Sequence, residues 1–248
     1  MNFICRMLIV LFIFLSPLRA AGPPLNVGIE SFSPPFVMQG ANKEIYGFDI
    51  DMMNYVCETI NRTCQYRVMK FEELLTAVAN KQIDVATSSI TITSERSQIV
   101  DFSIPYLLSY SRFLANHNAE SHQKFSLDLL KGKRIGIERG TIFVDQIRDM
   151  GIKDPVISYY PRDEELLEAL RDGKIDYVLL DNPTALYWEA NSSGSFRVIG
   201  QPYMYGYGFG IAVNPAEKAL LQQINQALLK FQSSKEFTNA YNRYLEEF

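Results

Sequence analysis

Short apolar segments with strand character alternate with amphipathic segments of helical period along most of the chain, and this alternation most strongly limits the possible folds. The strand-like segments are residues 25–30, 66–68, 83–86, 133–138, 156–160, 176–180, 196–199 and 211–213. Between them, segments such as 71–80 and 163–172 place apolar side chains on one face of a helix. Strands alternating with helices in both halves are typical of layered folds, so we predict an α/β protein. We find no internal sequence repeat.

The first 21 residues have the features of a secretory signal peptide. Arg6 precedes an apolar run at 7–15, and small residues at 20–21 offer a cleavage site. The run is too short to span a membrane. Cys5 lies before the run, so it is not a lipid-attachment cysteine of the mature chain. We predict a soluble, exported mature chain.

Charge and histidine placement exclude two classes of partner. Removing residues 1–21 changes the formal net charge from −4 to −6, an acidic balance that argues against nucleic acid. His117 and His122 lie in a polar segment with no cysteine or acidic cluster at ligand spacing. We therefore interpret them as solvated loop residues and predict no metal site and no cofactor.

Export leaves two cysteines, Cys57 and Cys64, in an oxidising compartment. An even pair in that setting favours a disulfide, and two buried thiols are the alternative. Apolar residues at helical spacing in 48–61 place Cys57 in the last turns of a helix and Cys64 at the start of the next strand. A bridge across so short a loop should contribute about 2–3 kcal/mol.

Residues 86–106 combine small hydroxylated side chains with one arginine. Ser88, Ser89 and Thr91 precede Arg96, and hydroxyl groups can both donate and accept hydrogen bonds. The guanidinium of arginine can bind a carboxylate through two parallel hydrogen bonds. The pattern therefore suits a free α-amino acid. The alternative is that Ser94 caps a helix and Arg96 is solvated.

The same stretch resembles the signature of the periplasmic amino-acid-binding proteins of ABC transporters. The resemblance lies in Thr91-Ile92-Thr93, in Arg96, and in Asp101-Phe102-Ser103-Ile104-Pro105-Tyr106. It extends, more loosely, over nearly all of the chain after residue 24.

The resemblance implies the two-lobe periplasmic-binding-protein fold of type II, in which two crossing strands join the lobes. Lobe 1 would comprise residues 22–108 and 208–248, and lobe 2 residues 109–207. The glycine-rich segment 201–210 is a candidate hinge, because glycines absorb changes in φ and ψ.

The resemblance also assigns the two ends of the ligand. Arg96 would hold the α-carboxylate, and Asp181 would hold the α-ammonium together with Ser89. Asp181 follows a strand of an α/β sheet, where ligands bind, but a helix N-cap is the alternative for it. Thr141 would complete the carboxylate site with free N–H groups at a helix start. Phe143 stands where some basic-amino-acid binders have glutamine, which weakens the case for lysine or ornithine.

The remaining predicted contacts surround the ligand's side chain. Glu30 matches an acid that faces the distal cation in arginine binders, and an exposed loop carboxylate is the alternative. Phe71 matches an aromatic residue that lies over the side chain, although it suits a core position equally well. Ser33 and Ser88 are further predicted contacts. We expect arginine or another polar or basic L-amino acid; glutamine and histidine stay open.

One acid, Asp49, and one aromatic residue, Trp188, are predicted to have structural roles instead. Asp49, in the Gly47–Asp51 element, is expected to serve the first turn of a helix rather than the ligand. Trp188 is expected in the core.

The implied function is capture of a free amino acid in the periplasm by a monomeric protein that delivers it to the permease of an ABC importer in the inner membrane. An alternative is an enzyme resembling cyclohexadienyl or arogenate dehydratase, with Glu30 as general acid or base. A sensor module is a third interpretation. The lack of a predicted membrane-spanning segment after the signal peptide argues against it.

Overall fold

The computed structural model describes residues 22–117 and 125–246. The predicted signal peptide and His122 lie outside the described residues. Within these ranges, no helix is both long enough and apolar enough to cross a bilayer.

The first part of the chain builds most of one sheet. In chain order its elements are β1 (Leu25–Glu30), β2 (Met38–Gln39), β3 (Ile45–Tyr46), α1 (Phe48–Thr59), β4 (Cys64–Met69), α2 (Phe71–Ala79), β5 (Val85–Ala86), a 3-10 turn (Arg96–Gln98), β6 (Asp101–Phe102) and β7 (Tyr110–Asn116).

The second part builds another sheet and returns to the first. Its elements are a 3-10 turn (Leu127–Leu130), β8 (Arg134–Glu138), α3 (Phe143–Asp149), β9 (Val156–Tyr160), α4 (Asp163–Arg171), β10 (Tyr177–Asp181), α5 (Asn182–Asn191), β11 (Phe196–Met204), β12 (Ala212–Val213), α6 (Lys218–Gln232), α7 (Lys235–Tyr241) and a π-helical turn (Asn242–Glu246).

The strands form two separate main sheets, one in each lobe. One has the order β4-β1-β5-β12-β6 and the other the order β11-β7-β10-β8-β9. The chain crosses between β6 and β7 and returns between β11 and β12. The predicted two-lobe α/β architecture with two crossings is therefore confirmed. We propose that lobe 1 comprises residues 22–108 and 208–248 and lobe 2 residues 109–207, which agrees with the membership of the two sheets.

Each sheet is buried by helices because its strands are apolar on both faces. In lobe 1, Val27 and Ile29 of β1 belong to one apolar cluster with Met53 of α1 and Ile224 of α6. The equivalent clusters of lobe 2 pack α3 and α4 against β8 and β10. The central strands are parallel, so their carboxyl ends point the same way within each sheet.

Several predicted element ends differ from the observed ones. The predicted strand 66–68 is part of the longer β4, and the proposed hinge segment 201–210 begins as the end of strand β11. The helix predicted to follow the turn at Arg139-Gly140-Thr141 begins at Phe143. These differences arise because strand ends depend on pairing with neighbours, which the local pattern does not report.

The predicted disulfide joins Cys57 and Cys64. Cys57 lies in the last turns of α1 and Cys64 is the first residue of β4, as the helical spacing predicted. The bridge therefore lies at the amino end of β4, which is the end of the strand away from Met69 and the following α2.

The expectation that the sequence contains no internal repeat is wrong. Residues 72–84 (EELLTAVANKQID) and 164–176 (EELLEALRDGKID) share the EELL start, an alanine and the final Ile-Asp. A Cβ added at Gly28 would meet the side chains of Ile83 and Leu74, and one added at Gly136 would meet those of Ile175 and Leu166. The same strand–helix–strand packing is thus built once in each lobe.

Candidate functional site

A cavity lies between the two lobes and is partly open to solvent. Its polar lining residues come from both lobes: Glu30, Ser33, Ser89, Thr91, Arg96, Glu138, Thr141, Asp163, Asp181 and Thr184. Its apolar lining residues are Phe71, Ile142, Phe143 and Leu180.

Arg96 is the cation of this cavity, and it is buried rather than solvated. Its Nη1 donates to the carbonyl of Thr91 at 2.8 Å, and its Nη2 donates to the carbonyl of Gly140 in lobe 2 at 2.9 Å. Its Cζ lies 5.5 Å from the centre of the Phe71 ring. Burial lowers the pKa of Arg96 to about 10, so the guanidinium is still charged at neutral pH. Its other N–H donors could bind a carboxylate.

Asp49 holds the turn that precedes Arg96. It is fully buried in the first turn of α1 and accepts hydrogen bonds from Thr87 Oγ1 at 2.7 Å, from Ser89 N at 2.9 Å and from Tyr106 Oη at 2.9 Å. Ser89 has a φ of 43°, a left-handed conformation that is costly for a residue with a side chain. The bond from its N–H to Asp49 opposes that cost, so Asp49 fixes the position of the Ser89 side chain.

Asp181 ends β10 and points across the cleft. It precedes α5 but makes no side-chain capping bond. Instead, its Oδ2 accepts a hydrogen bond from Ser89 Oγ of lobe 1 at 2.9 Å. Burial raises the pKa of Asp181 to about 7, while the bond from Ser89 and the charge of Arg96 act to lower it. Asp181 and Arg96 therefore line one cavity from opposite lobes.

Further contacts show that the lobes are closed on each other. Arg139 of lobe 2 pairs with Glu72 of α2 at 3.8 Å. Trp188 of α5 packs edge-to-face against Phe32 of lobe 1, with ring centres 6.1 Å apart. Together with the Ser89–Asp181 and Arg96–Gly140 bonds, these contacts join the two lobes across the cleft.

Two of the predicted contacts have a different local arrangement. Ser88 is not among the lining residues; its Oγ accepts a hydrogen bond from the backbone N–H of Glu30 at 3.3 Å, which ties two cleft segments together. Thr141 lines the cavity but precedes α3, and its N–H donates to the carbonyl of Glu138 at 3.4 Å. The expected free N–H groups of a helix start are therefore not at Thr141.

The sequence interpretation missed two acids of the cavity, Glu138 and Asp163. Both are buried, at 5% and 4% exposure. Glu138 ends β8 and Asp163 begins α4. The signal that could have found Glu138 is the tripeptide Gly-Ile-Glu, which ends β1 at Glu30 and β8 at Glu138. Equivalent strands of the two lobes thus deliver equivalent acids to the cleft.

The model of the bacterial extracellular solute-binding proteins, family 3, matches residues 25–247. The chain belongs to this family. The match covers both lobes and includes every residue that lines the cavity.

Individual relatives of this family are also similar over most of their length. The "ABC transporter arginine-binding protein 1" of Escherichia coli (strain K12) is 32% identical over 84% of this chain and 85% of its own length. The "L-cystine-binding protein TcyJ" of the same organism is 28% identical over 84% of this chain and 77% of its own length. A solved structure titled as an arginine third transport system periplasmic binding protein of Legionella pneumophila superposes with a TM-score of 0.84, at 30% identity, and covers 90% of this chain and 100% of its own.

Proposed function

We propose that this protein binds a free L-amino acid, with arginine as the favoured ligand, in the cleft between its lobes and delivers it to an ABC importer. The observation that carries the proposal is the placement of Arg96 and Asp181 on opposite walls of one cavity. A zwitterion can be buried at such a site because each of its charges meets a charge of opposite sign.

Each lining residue then has a role. Arg96 binds the α-carboxylate, and Thr141 approaches the same group from lobe 2. Asp181 and Ser89 bind the α-ammonium. Ser33 and Thr91 offer further hydroxyl groups to the ligand.

The side-chain pocket favours a cation. Glu30 is 1% exposed, and the Phe71 ring also lines the cavity. An acid and an aromatic face suit the guanidinium of arginine, and the relatives named above include an arginine binder. We also propose that the protein is exported to the periplasm, is a monomer and interacts with the permease of the importer.

A thermal-shift screen of the wild-type protein against the amino acids tests the proposal, since a bound ligand raises the apparent unfolding temperature. We expect arginine to give the largest shift. Incubation with prephenate or arogenate should give no aromatic product. Formation of such a product, without stabilisation by any amino acid, would instead favour the dehydratase alternative.

Arg96→Ala tests the site itself. Removing one partner of a buried charge pair costs about 2–5 kcal/mol, which is a loss of roughly 30-fold to several thousand-fold in affinity. Arg139→Ala is the matched control, because its ion pair with Glu72 also crosses the cleft but is largely exposed and contributes at most about 1 kcal/mol. Calorimetry that gives the two variants equal affinity for arginine would refute the role of Arg96.

A further inference from the structure

Two buried acids, Glu30 and Glu138, face each other across the cleft. Glu30 ends β1 of lobe 1 and Glu138 ends β8 of lobe 2, and both line the cavity. Neither oxygen of Glu30 accepts a hydrogen bond from an N–H or O–H donor in the described residues, and Oε1 of Glu138 is likewise unpartnered. Both carboxyl groups are buried in the same cavity, and the charge of Glu30 acts on Glu138 there.

No cation of the described cavity neutralises this pair. Arg96 is held by carbonyl groups of Thr91 and Gly140. Arg162 is exposed, does not line the cavity, and lowers the pKa of Glu30 less than burial raises it. Two like charges at short range in a buried site cannot both ionise, as in other carboxyl pairs. The pair therefore holds a proton in the closed, ligand-free cavity.

The electrostatic surroundings agree with that conclusion. Burial raises the pKa of Glu30 to about 7, although the hydrogen bond with Glu138 acts in the lowering direction. Burial and then the charge of Glu30 raise the pKa of Glu138 well above its usual range, so Glu138 is the protonated partner. The other acids facing the pair are Asp163 and Glu164 from α4 and Asp181 from the end of β10, and all act to keep the proton in place.

We propose that Glu138 is a second specificity residue of the site, and that a cationic group at the end of the ligand's side chain binds between Glu30 and Glu138 and displaces their shared proton to solvent. This inference rests on the proposed binding of an amino acid. Charge balances: a guanidinium enters and one proton leaves. A ligand of the same shape without the side-chain charge displaces no proton from this pair.

Arginine and citrulline provide the decisive comparison, because citrulline carries a neutral urea in place of the guanidinium and the same α-ammonium and α-carboxylate. Calorimetry of the wild-type protein at pH 7 in two buffers of different ionisation enthalpy counts the protons. We expect arginine to release about one proton more than citrulline, because both ligands place the same α-ammonium on Asp181, whose raised pKa affects both alike. By linkage, the ratio of arginine affinity to citrulline affinity should rise by up to about tenfold per pH unit between pH 5 and 7.

Glu138→Gln keeps the shape of the side chain and removes the titrating group. We expect it to bind arginine more weakly, to release fewer protons than the wild-type protein and to show a shallower pH dependence, while citrulline binding is retained. Glu164→Gln is the matched control, because Glu164 is an exposed acid beside the same cavity; it should keep the proton release. If the Glu138 variant does not fold, the two-ligand comparison on the wild-type protein still decides.

The possible outcomes separate this inference from the proposed function. Arginine binding without proton release, equal release by citrulline, or full release from Glu138→Gln would each overturn the inference and leave amino-acid binding intact. Binding of neutral amino acids but not arginine would overturn it as well. If no amino acid binds, the proposed function fails and the inference fails with it.

Discussion

Gly140 is the position at which one added methyl group tests the closed cleft most directly. A Cβ there would lie 2.7 Å from Cα and 2.8 Å from Cβ of Glu72, on the opposite lobe. These atoms sit at the start of α2, so rotation of the Glu72 side chain does not relieve the overlap. In Gly140→Ala the lobes must therefore stay apart by several tenths of an ångström or more at this point.

The magnitude follows from the contact that closure makes there. Arg96 Nη2 donates to the Gly140 carbonyl at 2.9 Å, and a hydrogen bond from a charged group contributes about 1.5–3 kcal/mol. Weakening it in the closed state alone should reduce arginine affinity roughly 10- to 100-fold. Because Gly140 has a φ of +84°, alanine also adds backbone strain of about 1–2 kcal/mol, but in the open and closed states alike.

Gly151→Ala separates the two effects. Gly151 lies in the same lobe with a φ of +72°, and no atom lies within 4 Å of an added Cβ. Both variants should unfold at similarly lowered temperatures without ligand. Gly140→Ala alone should lose affinity by calorimetry and keep a larger radius of gyration with saturating arginine. Equal affinities of the two variants would show that Gly140 does not limit closure.

Three further predictions concern other parts of the molecule. Replacing Cys57 and Cys64 by serine should lower the free energy of unfolding in urea by about 2–3 kcal/mol. Ligand affinity should be unchanged, because the bridge lies at the strand end away from the cleft, and a large loss of affinity would contradict this. The raised pKa of Glu30, about 7 against 4.5, means that ionising it costs the closed form roughly 3 kcal/mol relative to an exposed carboxyl. The closed ligand-free form is thus favoured below pH 4.5 and loses that advantage as pH rises through 7, so X-ray scattering should give a larger radius at pH 8 than at pH 4.5; a smaller one would refute the sign. Trp188 is the single tryptophan of the chain and packs against Phe32 across the cleft, so arginine binding should change its fluorescence. The Phe32→Ala variant should show a smaller fluorescence change. An equal change in that variant would argue against this contact as the source of the signal.

The architecture was predictable because it depends on local patterns that recur. Apolar runs gave β1, β8 and β10, and helical spacing gave α2 and α4 close to their observed bounds. Helix α3 begins only at Phe143, because Thr141 uses its N–H and Oγ1 in a turn back to Glu138, an arrangement set by the loop rather than by helical period.

The cavity was predictable only where a residue belongs to a recognisable motif. Arg96 and Ser89 stand in such a motif, and both line the cavity. Glu138 lies outside that motif. An acid at the end of a strand is equally suited to an exposed turn, and Glu138 is buried only because lobe 1 closes over it. The role of Asp49 was also incomplete: it does begin a helix, but its three hydrogen-bond donors come from residues 38 to 57 positions further along the chain.

The distribution of charge links specificity to closure. Lobe 1 contributes Arg96 and Glu30, whereas lobe 2 contributes Glu138, Asp163 and Asp181, so closing the empty cleft brings more acids than cations together. Closure without a cation requires protons on some of these acids, because like charges repel strongly in a buried site. An amino acid with a basic side chain supplies the missing positive charge only in the closed state, where both lobes reach it. Differential affinity of this kind is what shifts a two-state equilibrium, so the same acids that select the ligand also make closure depend on it.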